Sequence, residues 1–122
     1  MNIPVSSEVL ETNWDQWSKY IHQWAVEKGF WPPAHGSDHK NEQSSSKIAL
    51  MHSELSEALE ALRHGNPPDD KIPEIDGVSA ELADCVIRIM DFGAYHHLNV
   101  GKAIAIKMAY NEKRPHKHGK AF

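Results

Sequence analysis

Apolar residues recur along this chain at intervals of three and four, the repeat of helices that each bury one face. Trp14, Trp17, Ile21 and Trp24 mark the first such segment, which the pattern starts at about Ser6 or Ser7 as N-cap and carries to Lys28, with Gly29 as its stop. A second segment opens at the run Ser44, Ser45, Ser46 and ends near His64, before Gly65; its stripe is Ile48, Met51, Leu55, Leu59 and Leu62. The third, about Ser79 to His97, carries Leu82, Val86, Ile89 and Gly93 on one face. The fourth, about Val100 to Lys113, carries Val100, Ile104 and Met108 and is stopped by Pro115. Gly29 to Gln43 reads as a long loop of the functional or mobile kind, and Asn66-Pro67-Pro68-Asp69-Asp70 opens a second loop that extends to about Gly77. Alternating strand patterns of useful length are missing. The expectation is a single all-α domain, residues 1–122, of four to five helices.

Composition narrows the class without naming a function. A length of 122 residues suits one domain with a modest core. The net charge of -4 argues against a binder of nucleic acid polymers, whose affinity rests on basic residues meeting phosphates. No apolar run approaches the roughly 20 residues of a membrane span, and the first residues lack the basic and apolar regions of a signal peptide. The one cysteine, Cys85, cannot pair within the chain and reads as an inert buried thiol, so a cytoplasmic location is expected. The nine histidines follow no zinc or di-iron spacing, and no Gly-x-Ser-x-Gly supports a serine nucleophile.

The informative residues are acids. The second helix holds Glu54-Leu-Ser-Glu57 and the third holds Glu81-Leu-Ala-Asp84, and residues three apart on a helix point the same way. Three-residue spacing alone is weak evidence in a chain with seventeen acids. The neighbours add to it. Glu54, Glu57 and Glu81 have small or apolar residues four positions away on either side, and only Asp84 has a local base, Arg88. Both pairs lie beside an apolar stripe where a partner helix would pack, so the expectation is grouped carboxylates with no protein cation to balance them. Such a group requires protons or a cation, and all-oxygen ligands point to Mg²⁺, with Mn²⁺ as a substitute.

The fourth helix carries Lys107, Asn111 and Arg114 on one face, a set suited either to phosphate oxygens or to favouring the negative end of the helix dipole. Beyond Pro115, His116-Lys117-His118-Gly119-Lys120 adds donors that either cover phosphates or form a mobile tail. Lys47, two turns before Glu54 on the same face, is a further phosphate candidate.

Glu54-x-x-Glu57, 23 intervening residues and Glu81-x-x-Asp84 together resemble the signature of the MazG-like all-α NTP pyrophosphatase superfamily. Lys107-Met108-x-x-Asn111-x-x-Arg114-Pro115 is similar to that family's C-terminal substrate-binding helix, and Arg114-Pro115-x-x-His118-Gly119-Lys120 resembles its compact bacterial and phage members. The resemblance spans about Trp24 to Phe122. It implies two subunits interlocked as a helical-bundle homodimer, often paired again as a homotetramer. It also implies Mg²⁺-dependent hydrolysis of the bond between the α- and β-phosphates of an NTP or dNTP.

Carried over, Glu54, Glu57, Glu81 and Asp84 are the metal ligands. Lys107, Asn111 and Arg114 hold phosphates, and Glu54 orients or deprotonates the attacking water. Trp31 resembles the position of an aromatic that contacts the base in some relatives; its other reading is packing against helix ends. Trp14, Trp17 and Trp24 read as core or subunit interface. Many relatives have a further Glu where this chain has Ser53, a departure that bears on the number of metals held. Self-association also follows from amphipathic helices too few to cover one another. The competing class is a catalytically weak nucleotide-binding or regulatory helical oligomer.

Overall fold

The computed structural model describes residues 7–31 and 39–115. Among them the fold is all-α: α1 (Ser7–Glu27), α2 (His39–Arg63), α3 (Gly77–Tyr95) and α4 (Val100–Glu112), with a single β-bridge between Pro68 and Asp76. α3 packs against both α1 and α2, and α4 packs on α1. Gly29 and Gly65, at φ +82 and +81, turn the chain out of α1 and α2 in the left-handed conformation that glycine adopts without strain. No helix of the described residues is long and apolar enough to cross a membrane.

Two boundaries differ from the sequence expectation. α2 starts at His39, five residues before the serine run at which the sequence pattern opens it. Serine is tolerated in a helix when its hydroxyl finds a partner, and Ser44 Oγ meets His96 Nε2 at 2.9 Å. α3 starts two residues early, because the capping group is Asp76, whose carboxylate accepts from Ser79 N. Asn66 fixes this cap: its Nδ2 donates to Asp76 Oδ2 at 2.9 Å, and its Oδ1 accepts from Val78 N at 2.8 Å. The bonds from Ser79 and Asn66 hold the Asp76 carboxyl down at about 2.

The apolar stripes, expected to pack on a partner helix or a second subunit, point outward in the single chain: Ile48, Leu55, Leu59 and Leu62 on α2 are 40%, 49%, 49% and 62% exposed, and Leu82 and Val86 on α3 are 46% and 42% exposed. Trp17 and Trp24 are exposed as well. The buried apolar residues are Ala25, Ala58, Ala80 and Cys85, and no large side chain is fully enclosed among the described residues. The helices therefore meet along their small residues. A Cβ at Gly77 would lie 3.1 Å from Ala61 Cβ and 3.2 Å from Pro67 O, and one at Gly101 would lie 3.1 Å from Trp14 Cβ. Small residues let backbones approach closely, and the bulky apolar side chains are left for another surface to cover. Gly77→Val is expected to force α3 away from α2 and lower the melting temperature by several degrees; an unchanged melt by circular dichroism would contradict this contact.

Candidate functional site: a polar seam between two helices

The small-residue contacts bring a line of charged side chains into the α2–α3 interface. From α3 come Glu81, Asp84, Arg88 and Asp91, spaced three and four apart and so on one face; from α2 come Lys47, Glu54 and Glu57. One carboxylate oxygen each from Glu54, Glu57 and Glu81 lies within 4.8 Å of the others. Glu54 is buried, Glu81 half-buried and Glu57 exposed. Glu81 Oε2 is enclosed and accepts no hydrogen bond.

Electrostatics follow from this crowding. Burial first, then hydrogen bonding and charge from Glu54 and Glu57, push the Glu81 carboxyl up to about 8. A proton on Glu81 can be shared with its neighbours; three ionised carboxylates leave Oε2 without a donor. Asp84 is also raised, by burial and then by the Glu54 charge, with Arg88 acting against the shift. Three convergent carboxylates with an orphaned oxygen have the donor set and spacing to hold a hard divalent cation.

The expectation that no protein cation balances these acids needs correcting. Arg88 Nε donates to Glu54 Oε1 at 3.1 Å, with both side chains at least half-buried. Sequence neighbours on α2 gave no hint of this, because the pair crosses between helices, 34 positions apart. Glu57 and Glu81 have no ion pair among the described residues.

The other sequence candidates divide by location. Lys47 donates to Phe30 O at 2.8 Å, and its ammonium lies 4.4 Å from the centre of the Trp31 ring. Burial lowers its pKa, a shift that the Asp91 charge opposes. Trp31 stacks on Tyr95 with ring centres 3.9 Å apart, and its Nε1 donates to Asp91 at 2.9 Å. A base could stack on this indole only by displacing Tyr95 or Lys47. Lys107, Asn111 and Arg114 lie exposed on and just beyond α4, with the Lys107 and Arg114 charges about the Tyr110 ring at 6.0 and 5.8 Å. Within one chain α4 packs on α1, whereas the acids lie on α2 and α3. The tail from His116 lies outside the described residues.

Sequence reasoning missed Asp91. Its side chain is nine-tenths buried, faces His22 Nδ1 at 2.7 Å and takes the Trp31 bond. The available signal was its offset of seven from Asp84, which continues the acidic face of α3. Next to it opens a cleft of about 320 Å³ lined by Trp24, Phe30, Leu50 and Ile87 as walls, with Lys47, Asp84, Arg88 and Asp91 as polar groups. Asp84 and Arg88 thus border both the cleft and the acid cluster. No protein-family model matches this chain, and no curated protein or solved structure does either.

Proposed function

We propose that the chain is a Mg²⁺-dependent nucleoside triphosphate pyrophosphohydrolase that converts an NTP or dNTP to its monophosphate and pyrophosphate. The observation that carries this reading is the convergence of Glu54, Glu57 and Glu81 around an oxygen with no partner. The sequence resemblance supplies the reaction class.

Glu54, Glu57, Glu81 and Asp84 hold the cation. Bound there, a divalent ion neutralises triphosphate charge and activates water. Glu54, whose Oε1 accepts from Arg88 Nε, is the residue assigned to orient the attacking water. Lys107, Asn111 and Arg114 bind phosphate oxygens from a second copy of the chain, since in one chain their helix packs on α1. The exposed stripes of α2 and α3 support a homodimer or homotetramer, because the described residues enclose no large apolar side chain fully and so leave little core for a single chain to stand on.

The direct test is incubation with Mg²⁺ and a panel of NTPs and dNTPs, followed by chromatography. Monophosphate with pyrophosphate is expected. Diphosphate with phosphate would move the cleavage to another bond, and tight binding without turnover would favour the regulatory-oligomer reading.

Proton and cation compete for one site, which gives a pH signature. Glu81 keeps its proton in the fold where the unfolded chain, near 4.5, has lost it. Its stabilising contribution is full below the unfolded value and is lost as pH rises through about 8. Without metal, the melting temperature is expected to fall between about pH 5 and about pH 9, and Mg²⁺ to raise it most at the alkaline end. A Mg²⁺ effect of the same size at both ends would contradict the assignment of Glu81 as a ligand.

A further inference from the structure

We infer that the cleft beside the acid cluster is a nucleobase subsite in which Asp91 selects bases bearing an exocyclic amino group. The inference rests on the triphosphate reading for its orientation, because Asp84 and Arg88 border the cleft and Arg88 is ion-paired to Glu54.

The cleft has the make-up of a site for a flat, polar heterocycle. Trp24 and Phe30 form an aromatic corner with ring centres 5.6 Å apart, and Leu50 and Ile87 supply aliphatic walls. Apolar walls with a few placed polar groups are the usual form of a small-molecule site, and this volume lies at the small end of that range. Base faces stack on aromatic rings whatever the base, so the walls confer affinity without choice.

Choice comes from Asp91. Its carboxylate is nine-tenths buried, and two protein groups fix its direction: Trp31 Nε1, 2.9 Å from both oxygens, and His22 Nδ1, 2.7 Å from Oδ1. Tyr95 stacks on Trp31 and makes an edge contact with His22, so the two struts are themselves held. A carboxylate only accepts hydrogen bonds and has lone pairs beyond those used here. Lys47 and Arg88, on the same cleft, only donate. The complementary ligand edge offers an N–H₂ to Asp91 and a ring nitrogen or carbonyl to a cation. Cytosine, adenine and guanine have such an edge. Uracil, thymine and hypoxanthine put a carbonyl oxygen at the amino position, where it would face the Asp91 carboxylate and leave a buried acceptor unmatched.

The test compares substrates that differ only in that group, CTP against UTP and ATP against ITP, by kcat/KM with Mg²⁺. Calorimetric binding of cytidine against uridine needs no turnover. The amino member is expected to be favoured at least about tenfold in each pair. Asp91→Asn, which adds a donor at the same place, is expected to bring the ratio to within about threefold of unity. Equal constants for the wild-type pairs overturn the inference, as does a ratio that survives Asp91→Asn. If Asp91→Asn fails to fold, the wild-type pairs decide alone. No hydrolysis with tighter cytidine binding would keep the base subsite and remove the pyrophosphohydrolase reading. Neither hydrolysis nor a binding preference would overturn both.

Discussion

Glu57→Ala and Asp84→Ala are expected to lower NTP hydrolysis at least about a hundredfold while raising the melting temperature of the Mg²⁺-free protein above about pH 8, where Glu81 is ionised. The rate loss follows from removing a cation ligand, where loss of an outer-shell partner alone typically reduces metal affinity or activity by about 10–100-fold. The gain in stability follows from the same carboxylates. After burial, hydrogen bonding and charge from Glu54 and Glu57 raise the Glu81 carboxyl, and Asp84 is raised by burial and by Glu54. Removing either relieves repulsion that the folded chain otherwise carries. Product chromatography gives one sign and thermal melts in EDTA give the other. A variant that loses activity because it misfolds would lose both together, so the opposed signs separate chemistry from structure. Near-normal turnover in either variant would end the metal-site assignment.

Leu55→Asp or Leu59→Asp is expected to abolish self-association and lower the melting temperature by several degrees. Each leucine is 49% exposed in the single chain. Covering such a side chain contributes about 1.5–3 kcal/mol at full burial, and a symmetric interface counts it once in each copy. In a domain of this size a kilocalorie per mole corresponds to about 4 °C. Gln16→Lys, a change at an exposed position on α1 outside any apolar stripe, is the control and should leave both properties unchanged. Sedimentation velocity at micromolar concentration reads the association directly. A wild-type monomer with a cooperative melt would show that the exposed stripes need no cover.

Much of the fold was legible because it rests on local signals. The α1 and α2 exits were fixed by Gly29 and Gly65, and the α4 bounds by Val100 and the approach to Pro115. The inward faces were not legible. Periodicity identified the apolar stripe of α2 correctly as a face, but it could not say whether that face meets this chain or another one. The partner-facing line is Glu54, Ala58 and Ala61, whose small members permit the close approach seen at Gly77.

In the candidate site, the spacing of Glu54, Glu57 and Glu81 on two helices was readable, because a three-residue offset is a property of one helix. The Arg88–Glu54 pair, the Asp91–Trp31–His22 group and the cleft depend on how separate helices are set against each other, which no single-helix pattern contains. Trp31 shows the difference. Its sequence position allowed either a ligand contact or packing against helix ends, and only the assembled helices show that it donates to Asp91 and stacks on Tyr95.

Two tight contacts bracket the carboxylates along the α2–α3 seam: Gly77 against Ala61 on one side, and Cys85 Sγ to the Met51 carbonyl at 3.7 Å on the other. The gap between the opposing backbones is thereby set like the jaws of a caliper, with Glu54 and Glu57 on one jaw and Glu81 on the other. Oxygen distances of about 2.0–2.1 Å for Mg²⁺ and about 2.3–2.6 Å for Ca²⁺ differ by less than the width of a methyl group. One added carbon at either bracket would open the jaws toward the larger ion. Residues that never touch the cation would then decide its radius.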